Sequence, residues 1–283
     1  MRPPAVVLVN PNTSAATTRM MTGIARRALA GTGLRVRGVT VATGPPMLTD
    51  PAALRAAAPH VVAAAHQALT SGDCAALIVA AFGDPGVPEL RALPWPMTVA
   101  PTPPHRPGPG RGRCAAPGPA QAPVPAPALA SEPEPVPGLA PVPGLAPAPA
   151  PVPLVGIGEA ALAEAAAGGR RFGVATTTPL LAGSIDAQVA RLGLAASYTG
   201  ARFTAGDPEL LAARPESLLA ALETAARACA VRDGAEVVVI GGGPLGEAAD
   251  VLGSRLAVPV VAPIPAACRR IARALGVSGP RRS

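Results

Sequence analysis

Two segments of the chain repeat one strand-to-loop pattern, AALIVAAFGDPG at 75–86 and AEVVVIGGGPLG at 235–246. Each is an apolar run, rich in β-branched residues, that ends in a glycine-rich turn and opens towards a helix. Such junctions are typical of strands that alternate with helices in parallel sheets. Two of them, about 160 residues apart, predict two similar halves that face one another across a cleft.

Short apolar runs and alanine-rich helical segments alternate along most of the sequence. Strands are predicted at 5–10, 35–43, 75–82, 152–158, 171–177, 195–204, 235–241 and 258–264, with helices between them, including one at 179–192 and one at 208–232. This alternation indicates an α/β protein with parallel sheets.

The two halves match in order, and the spacing of the matches identifies an insertion. The offset is 166 between Asn10 and Thr176 and 161 between Ala81 and Gly242, but only 106 between the segments that begin at 152 and 258. The sequence therefore predicts two pseudo-symmetric doubly wound domains, each with a four-stranded parallel sheet, and an active-site cleft between them. One extended sheet is the alternative, which the internal match makes less attractive.

The shortfall in the last offset corresponds to residues 94–150 of the first half, which hold half of the chain's 38 prolines. Proline removes a backbone donor and fixes φ, so this segment is predicted to be a disordered insertion. Its PxxP spacings would also fit an SH3-type ligand. The first half is then 1–93, completed by the strand at 152–158 and by the C-terminal helix at 265–283, and the second half is 159–264.

Composition excludes several classes of function. All 24 basic residues are arginine, so neither a pyridoxal-phosphate Schiff base nor a P-loop can form. The four cysteines and three histidines lack the spacing of a metal site. We therefore expect no cofactor and no metal.

The expected partner is a small-molecule ligand, and a homo-oligomer is left open. The net charge of +7 comes with no basic stripe interleaved with aromatic residues, so nucleic acid is not expected. No apolar stretch has the length of a membrane span, and the N-terminus does not resemble a signal peptide. These features predict a cytoplasmic protein without membrane contact.

Loops at the carboxyl ends of the strands are where a doubly wound fold binds its ligands. In the first loop, NPNTS, Asn10 and Asn12 offer amide groups, and Thr13 and Ser14 offer hydroxyls to a carboxylate or imide. Thr13 or Ser14 would also serve as the N-cap of the next helix. The two functions are compatible.

The other loops add hydroxyls, backbone amides and one carboxylate. Thr176 and Thr177 lie at the end of the first strand of the second half, and GGGPLG leaves bare amides at a helix start. Asp84 before a proline fits an N-cap of the helix that follows it, with an acid/base function as the alternative.

The segments NPNTS, FGDPG, VPLVGIGEAA and FGVATT, in this order, resemble the hydantoin racemase branch of the aspartate/glutamate racemase superfamily. The resemblance covers the chain apart from 94–150. It implies cofactor-independent proton transfer at an acidic carbon beside a carbonyl, with two cysteines on opposite faces of the substrate. The positions that it assigns to those cysteines are Ala81 and Gly242.

The resemblance predicts a racemase or isomerase acting on a small carboxylate, imide or ureide without the cysteine pair. Asp84, Glu159 or a bound water would then transfer the proton, although Glu159 also fits a first-turn helix carboxylate. The competing hypotheses are a pseudoenzyme that binds such a ligand without turnover and an interaction protein that acts through the proline-rich segment. The predicted ligand contacts are Asn10, Thr13, Ser14, Ala81, Phe82, Thr176, Thr177, Gly242 and Gly243.

Overall fold

The computed structural model describes residues 4–93 and 152–277 and contains two four-stranded parallel sheets, which confirms the predicted fold class. The first sheet has the strand order β2-β1-β3-β4. Its elements are β1 (Ala5–Asn10), α1 (Ala15–Ala28), β2 (Arg35–Thr40), α2 (Pro51–Thr70), β3 (Cys74–Val79), α3 (Val87–Ala92), β4 (Leu154–Gly156) and α4 (Ile157–Ala165).

The second sheet repeats this arrangement, with the order β6-β5-β7-β8. Its elements are β5 (Phe172–Thr176), α5 (Ala182–Arg191), β6 (Tyr198–Phe203), α6 (Pro208–Ala212), α7 (Pro215–Val231), β7 (Val237–Ile240), α8 (Gly246–Arg255) and β8 (Val260–Val261), and the chain continues into α9 (Pro263–Ala274), which contacts α1 and β4 of the first half. In each sheet the first strand along the chain lies between the second and the third, so the strand order reverses there. This reversal is where ligands bind in doubly wound folds.

Most predicted elements begin or end at different residues in the structure, as three of them illustrate. The helix predicted at 208–232 is two helices, α6 and α7, because Pro215 has no N–H and leaves Arg214 with non-helical angles. The strand predicted at 152–158 ends at Gly156, where α4 takes over. Of the strand predicted at 258–264, only Val260 and Val261 pair with β7.

A continuous apolar core joins the two halves. Leu8 of the first sheet and Phe172 of the second belong to one buried cluster with Met21, Ile157 and Ile271 of the intervening helices. Helix α9 packs against α1 and α4, so the end of the described chain also covers this core. Shared apolar burial of this kind holds the two sheets in a fixed relation.

Two sequence predictions concern residues outside 4–93 and 152–277. The predicted insertion at 94–150 lies outside the described residues, as do residues 278–283 of the predicted C-terminal helix. In the part of the chain that the structure does describe, no helix combines the length and the apolar character that crossing a bilayer requires.

Candidate ligand cleft

The carboxyl ends of β1, β3, β5 and β7 border a cavity of about 110 Å³ between the two halves. The first half contributes Asn12, Met47, Leu48, Ala80, Ala81 and Phe82. The second half contributes Thr177, Thr178, Leu181, Ile185, Pro208, Ala212, Leu218, Gly241, Gly242, Gly243, Pro244 and Leu245. Among the described residues, the wall therefore carries polar groups and apolar side chains but no ionisable side chain.

Asn12 lines this cavity, and the orientation of its side-chain amide follows from the hydrogen bonds around it. Its Oδ1 accepts hydrogen bonds from the Ser14 backbone N–H at 3.0 Å and from Asn10 Nδ2 at 2.8 Å. Since the Ser14 N–H can only donate, the oxygen must face it. The Asn12 Nδ2 is left without an acceptor in 4–93 and 152–277, and it is free to donate to a ligand.

The side chains of Asn10 and Ser14 in the NPNTS loop have partners within the chain, and neither these residues nor Thr13 line the cavity. Asn10 is buried, and its Nδ2 also donates to Thr18 Oγ1 at 2.9 Å. The Ser14 hydroxyl accepts from the Thr17 N–H at 3.2 Å and caps α1, as the N-cap alternative predicted. The Thr13 N–H donates to the carbonyl of Pro45 at 3.2 Å.

The Asp84 carboxylate caps a different helix from the one that sequence reasoning gave it. Helix α3 has Gly86 at its N-cap and no side-chain capping bond. Instead, Asp84 Oδ1 and Oδ2 accept from the backbone N–H groups of Gly158 at 2.8 Å and Glu159 at 2.7 Å, at the start of α4. Its backbone has φ of 51°, in the left-handed region that side chains disfavour, so tertiary contacts hold it there.

The glycines of the GIGE sequence leave room for this carboxylate. A Cβ at Gly156 would lie 2.2 Å from Asp84 Cγ, and one at Gly158 would lie 3.1 Å from Asp84 Oδ2. Asp84 is 1% exposed. Burial, together with the nearby Glu159 carboxylate, raises the pKa of Asp84 to about 7. The residue lies behind the cavity wall rather than in it.

Glu159 also points away from the cavity. It is 1% exposed, and its Oε1 lies 2.5 Å from Arg91 Nη2 and 3.9 Å from Arg270 Nη1. The same oxygen accepts from the Gly156 N–H at 3.3 Å, as expected for a carboxylate in the first turn of a helix. The Glu159 carboxylate is therefore part of a buried ion-pair cluster at the back of the cleft.

The second junction is built from backbone and hydroxyl groups. The Thr176 hydroxyl donates to the Gly241 carbonyl at 2.6 Å, so this predicted contact supports the wall from behind. The Gly242 N–H donates to the Ile240 carbonyl at 3.0 Å. Of the two glycine amides proposed for a ligand, only that of Gly243 is without an acceptor in the described part of the chain.

The predicted ligand contacts thus divide into two groups. Ala81, Phe82, Thr177, Gly242 and Gly243 lie in the cavity wall. Asn10, Thr13, Ser14 and Thr176 do not line it, and neither do Asp84 and Glu159. Sequence reasoning omitted the other residues of the wall from the contacts, among them Asn12, Met47 and Leu48. The apolar pair in the polar loop GPPMLTD was a usable signal, because no strand or helix periodicity explains it.

The described cysteines do not supply the thiols that the resemblance implies. Cys74, Cys229 and Cys268 lie outside the cavity wall. Burial raises the pKa of the Cys74 and Cys229 thiols to about 11 and that of Cys268 to about 12. They are therefore protonated and unreactive at neutral pH. Among the described residues, no three His, Cys, Asp or Glu side chains cluster in a way that could hold a metal ion.

Paired four-stranded sheets with a cleft at their carboxyl ends define a class of two-domain α/β proteins. A model of the Asp/Glu/Hydantoin racemase family matches residues 6–99 and 141–271. The chain belongs to this family. The match confirms the superfamily resemblance in the sequence, and it omits 100–140, within the proline-rich segment. No curated protein sequence matches the chain.

Solved structures of racemases share the fold. Allantoin racemase from Klebsiella pneumoniae has a TM-score of 0.70 at 20% identity, over 99% of this chain and 95% of the other. Allantoin racemase from Pseudomonas fluorescens has a TM-score of 0.69 at 21% identity, over 99% and 98%. Glutamate racemase from Francisella tularensis, in complex with D-glutamate, has a TM-score of 0.55 at 8% identity, over 97% and 81%.

Proposed function

We propose that this racemase-family protein binds a small uncharged amide or imide, such as a hydantoin or another ureide, in the cleft and does not turn it over. The observation that carries the proposal is the chemistry of the cavity wall. It has a fixed amide donor at Asn12, backbone and hydroxyl groups at the second junction, and apolar side chains elsewhere.

The polar groups of the wall suit a ligand with carbonyl oxygens. The Asn12 Nδ2 and the Gly243 N–H have no acceptor among the described residues, and both residues line the cavity, one from each half, so both groups can donate to carbonyl oxygens of a ligand. A cyclic imide offers such oxygens without a formal charge. Since the described wall contains no cation, a carboxylate would have only partial charges to balance it. Apolar residues such as Leu181 and Ile185 fit a nonpolar substituent.

The absence of turnover is inferred from the same wall. Proton transfer needs an ionisable group within hydrogen-bonding reach of the reacting carbon. Ala81 and Gly242 occupy the positions that the resemblance assigns to the two thiols, and the described wall supplies no substitute. Glu159 is held by two arginines.

Binding is tested by titrating the protein with hydantoin in a calorimeter and by comparing Asn12→Asp with the wild type. The Asn12→Asp variant keeps the oxygen that accepts from Ser14 and Asn10 but replaces the donating nitrogen with an anionic oxygen. We expect the affinity to fall by about tenfold or more. An unchanged affinity, or no binding to the wild type, would contradict the proposal.

A second candidate is proton transfer through Asp84, which the raised pKa favours. A carboxyl group with a pKa of about 7 suits acid/base catalysis, and Asp84 follows Ala81 by three residues. Its two oxygens, however, are engaged by Gly158, Glu159 and Gln188. A water in the cleft would have to relay the proton.

Deuterium exchange separates the two candidates. Single enantiomers of 5-substituted hydantoins are incubated in deuterated water, and incorporation at the acidic carbon is followed by NMR. If the protein binds hydantoins without turnover, deuterium is incorporated at the same rate with the protein as in the control without it. Enzyme-dependent incorporation that Asp84→Asn abolishes would establish the second candidate instead.

A further inference from the structure

Gln188 of helix α5 is a buried amide that the cleft itself does not use. It is 3% exposed, and its Nε2 donates to Asp84 Oδ2 at 2.5 Å. Its Oε1 is buried without a hydrogen-bond partner in the described residues. A buried, unsatisfied acceptor is costly, and an apolar side chain of the same length would fill the space without that cost.

The hydrogen bond to Asp84 connects the two walls of the cavity. On α5, Ile185 lies one turn before Gln188, on the same helix face, and lines the cavity. In the first half, the Asp84 N–H donates to the carbonyl of Ala81 at 3.1 Å, and Ala81 also lines the cavity. One side-chain bond therefore spans from the first junction to the helix that carries the opposite wall.

We propose that Gln188 is a positioning residue that fixes the spacing of the two cavity walls by binding the ionised Asp84 carboxylate. The bond is charge-assisted, so it is stronger than an amide bond to a neutral group. Gln188 also packs on Gly158, where a Cβ would lie 2.8 Å from its Nε2. The contact thus depends on both the carboxylate and the absence of a side chain in α4.

Several charged groups act on Asp84 along with Gln188. Glu159 of α4 opposes ionisation, and Arg191 of α5 favours it. Arg91 of α3 and Arg270 of α9 pair with Glu159 and reduce its effect. Burial and Glu159 favour the protonated form of Asp84. The Gln188 N–H is one of three hydrogen-bond donors that favour its ionised form instead.

The test is Gln188→Met, which keeps the length of the side chain and removes its donor. The exposed Gln67 of α2 provides the matched control, Gln67→Met. The Asp84 carboxyl ¹³C signal, assigned with Asp84→Asn, is titrated by NMR. We expect the Asp84 pKa to rise by about one pH unit in Gln188→Met and to stay unchanged in Gln67→Met.

Hydrogen exchange measures the spacing of the walls without any ligand. Amides of residues 80–84 should exchange about tenfold faster in Gln188→Met than in the wild type. If Gln188→Met does not fold, the wild type suffices, because its Gln188 side-chain amide signals should shift with the Asp84 titration midpoint. Gln188 signals that ignore that titration, or an unchanged Asp84 pKa and unchanged exchange in the variant, would overturn the proposal.

The consequence for ligand affinity rests on the function proposed above. Hydantoin should bind Gln188→Met about tenfold more weakly than Gln67→Met. If hydantoin does not bind even the wild type, the proposed function is wrong. The Asp84 titration and the hydrogen exchange then still test whether Gln188 positions the cavity walls. If hydantoin binds both variants equally while the Asp84 pKa shifts, Gln188 does not position the ligand walls.

Discussion

The two junctions of this duplicated fold place opposite kinds of side chain at the same position. Three residues after Ala81 stands Asp84, whose buried carboxylate accepts three hydrogen bonds. Three residues after Gly242 stands Leu245, which lies in the cavity wall and packs beside Gly242. The first half thus has a buried carboxyl group where the second has an apolar side chain.

This difference extends to the helix that begins after the last strand of each sheet. Gly156 is the N-cap of α4 and Gly158 lies in its first turn, where Asp84 and Gln188 leave little space for a Cβ. The matching positions before and in α9 are Ala262 and Ile264, both buried. Helix α9 has Pro263 at its first position and no capping side chain, and proline needs no acceptor there. A polar junction therefore demands glycines, and an apolar junction does not.

The largest effect is expected from giving both junctions the thiols that the resemblance implies. Gly242 has an extended backbone, with φ of 167°, that any residue can adopt, but a new Cβ would lie 3.0 Å from Leu245 Cδ1. The variant is therefore Ala81→Cys, Gly242→Cys and Leu245→Ala together. We expect α-deuteration of a 5-substituted hydantoin about 100-fold above that of the wild type.

The control for this experiment replaces the two cysteines by serines in the same Leu245→Ala background. Serine has nearly the same size but does not ionise near neutral pH. Circular dichroism establishes that both variants fold. Equal exchange rates in the cysteine and serine variants would show that the cleft lacks the geometry for two-sided proton transfer.

The next effect tests whether the polar junction requires its glycines. Gly156→Ala forces a methyl group to within 2.2 Å of Asp84 Cγ, so either the helix start or the carboxylate must move. We expect the free energy of unfolding in urea to fall by about 3 kcal/mol, from overpacking and weakened hydrogen bonds. Gly253→Ala in α8, where nothing lies within 4 Å, should stabilise by about 0.5 kcal/mol. Equal effects of the two substitutions would refute this comparison.

A smaller effect is expected in the pH dependence of stability. The pKa of Asp84 in the folded chain, about 7, exceeds the unfolded value of about 3.9. The folded chain then keeps a proton that the unfolded chain releases, so the Asp84 contribution to stability falls as the pH rises from about 4 to about 7. Asp84→Asn should abolish this slope.

Urea unfolding of the wild type and Asp84→Asn at about pH 5 and about pH 7.5 measures the slope. We expect the difference in unfolding free energy between the two proteins to be about 2 kcal/mol larger at the lower pH. Leu245, the apolar residue at the matching position, does not titrate and cannot make stability depend on pH. A difference that stays constant with pH would mean that Asp84 is already ionised at pH 5.

The architecture could be predicted from the sequence because each β-branched run indicates a strand from its own residues alone. The repeated offsets between matching segments then indicate the duplication without knowledge of any contact. It was insufficient for the start of α4, because the amides of Gly158 and Glu159 are bound by Asp84, more than 70 residues earlier. The dipeptide Asp84–Pro85 has the local signature of an N-cap. A long-range contact determined its partner instead.

Long-range contacts also explain why only part of the candidate site could be predicted from the sequence. Ala81 and Phe82 directly follow a strand, and the carboxyl end of that strand fixes their place at the cleft. Asn10 and Asn12 are chemically equivalent in sequence. Which of them faces the cavity depends on the Ser14 N–H and on Thr18 of the next helix. That information exists only in the folded loop.

The smallest effect concerns how each half supports its own junction from the first strand. Asn10, at the end of β1, orients Asn12, whereas the matching Thr176, at the end of β5, donates to the Gly241 carbonyl. Thr176→Val removes this buried hydrogen bond, together with the longer contact of the hydroxyl with Thr178 Oγ1 at 3.4 Å, and keeps the shape of the side chain. We expect a loss of about 1 kcal/mol in unfolding free energy and little change in hydantoin affinity, because Thr176 does not line the cavity.

Calorimetry and urea unfolding of Thr176→Val and Asn10→Ala, measured side by side, check this difference. If the two supports are equivalent, both variants will weaken hydantoin binding to the same extent. If the two supports differ, only Asn10→Ala will weaken hydantoin binding, because Asn10 holds the Asn12 side chain that donates to the ligand.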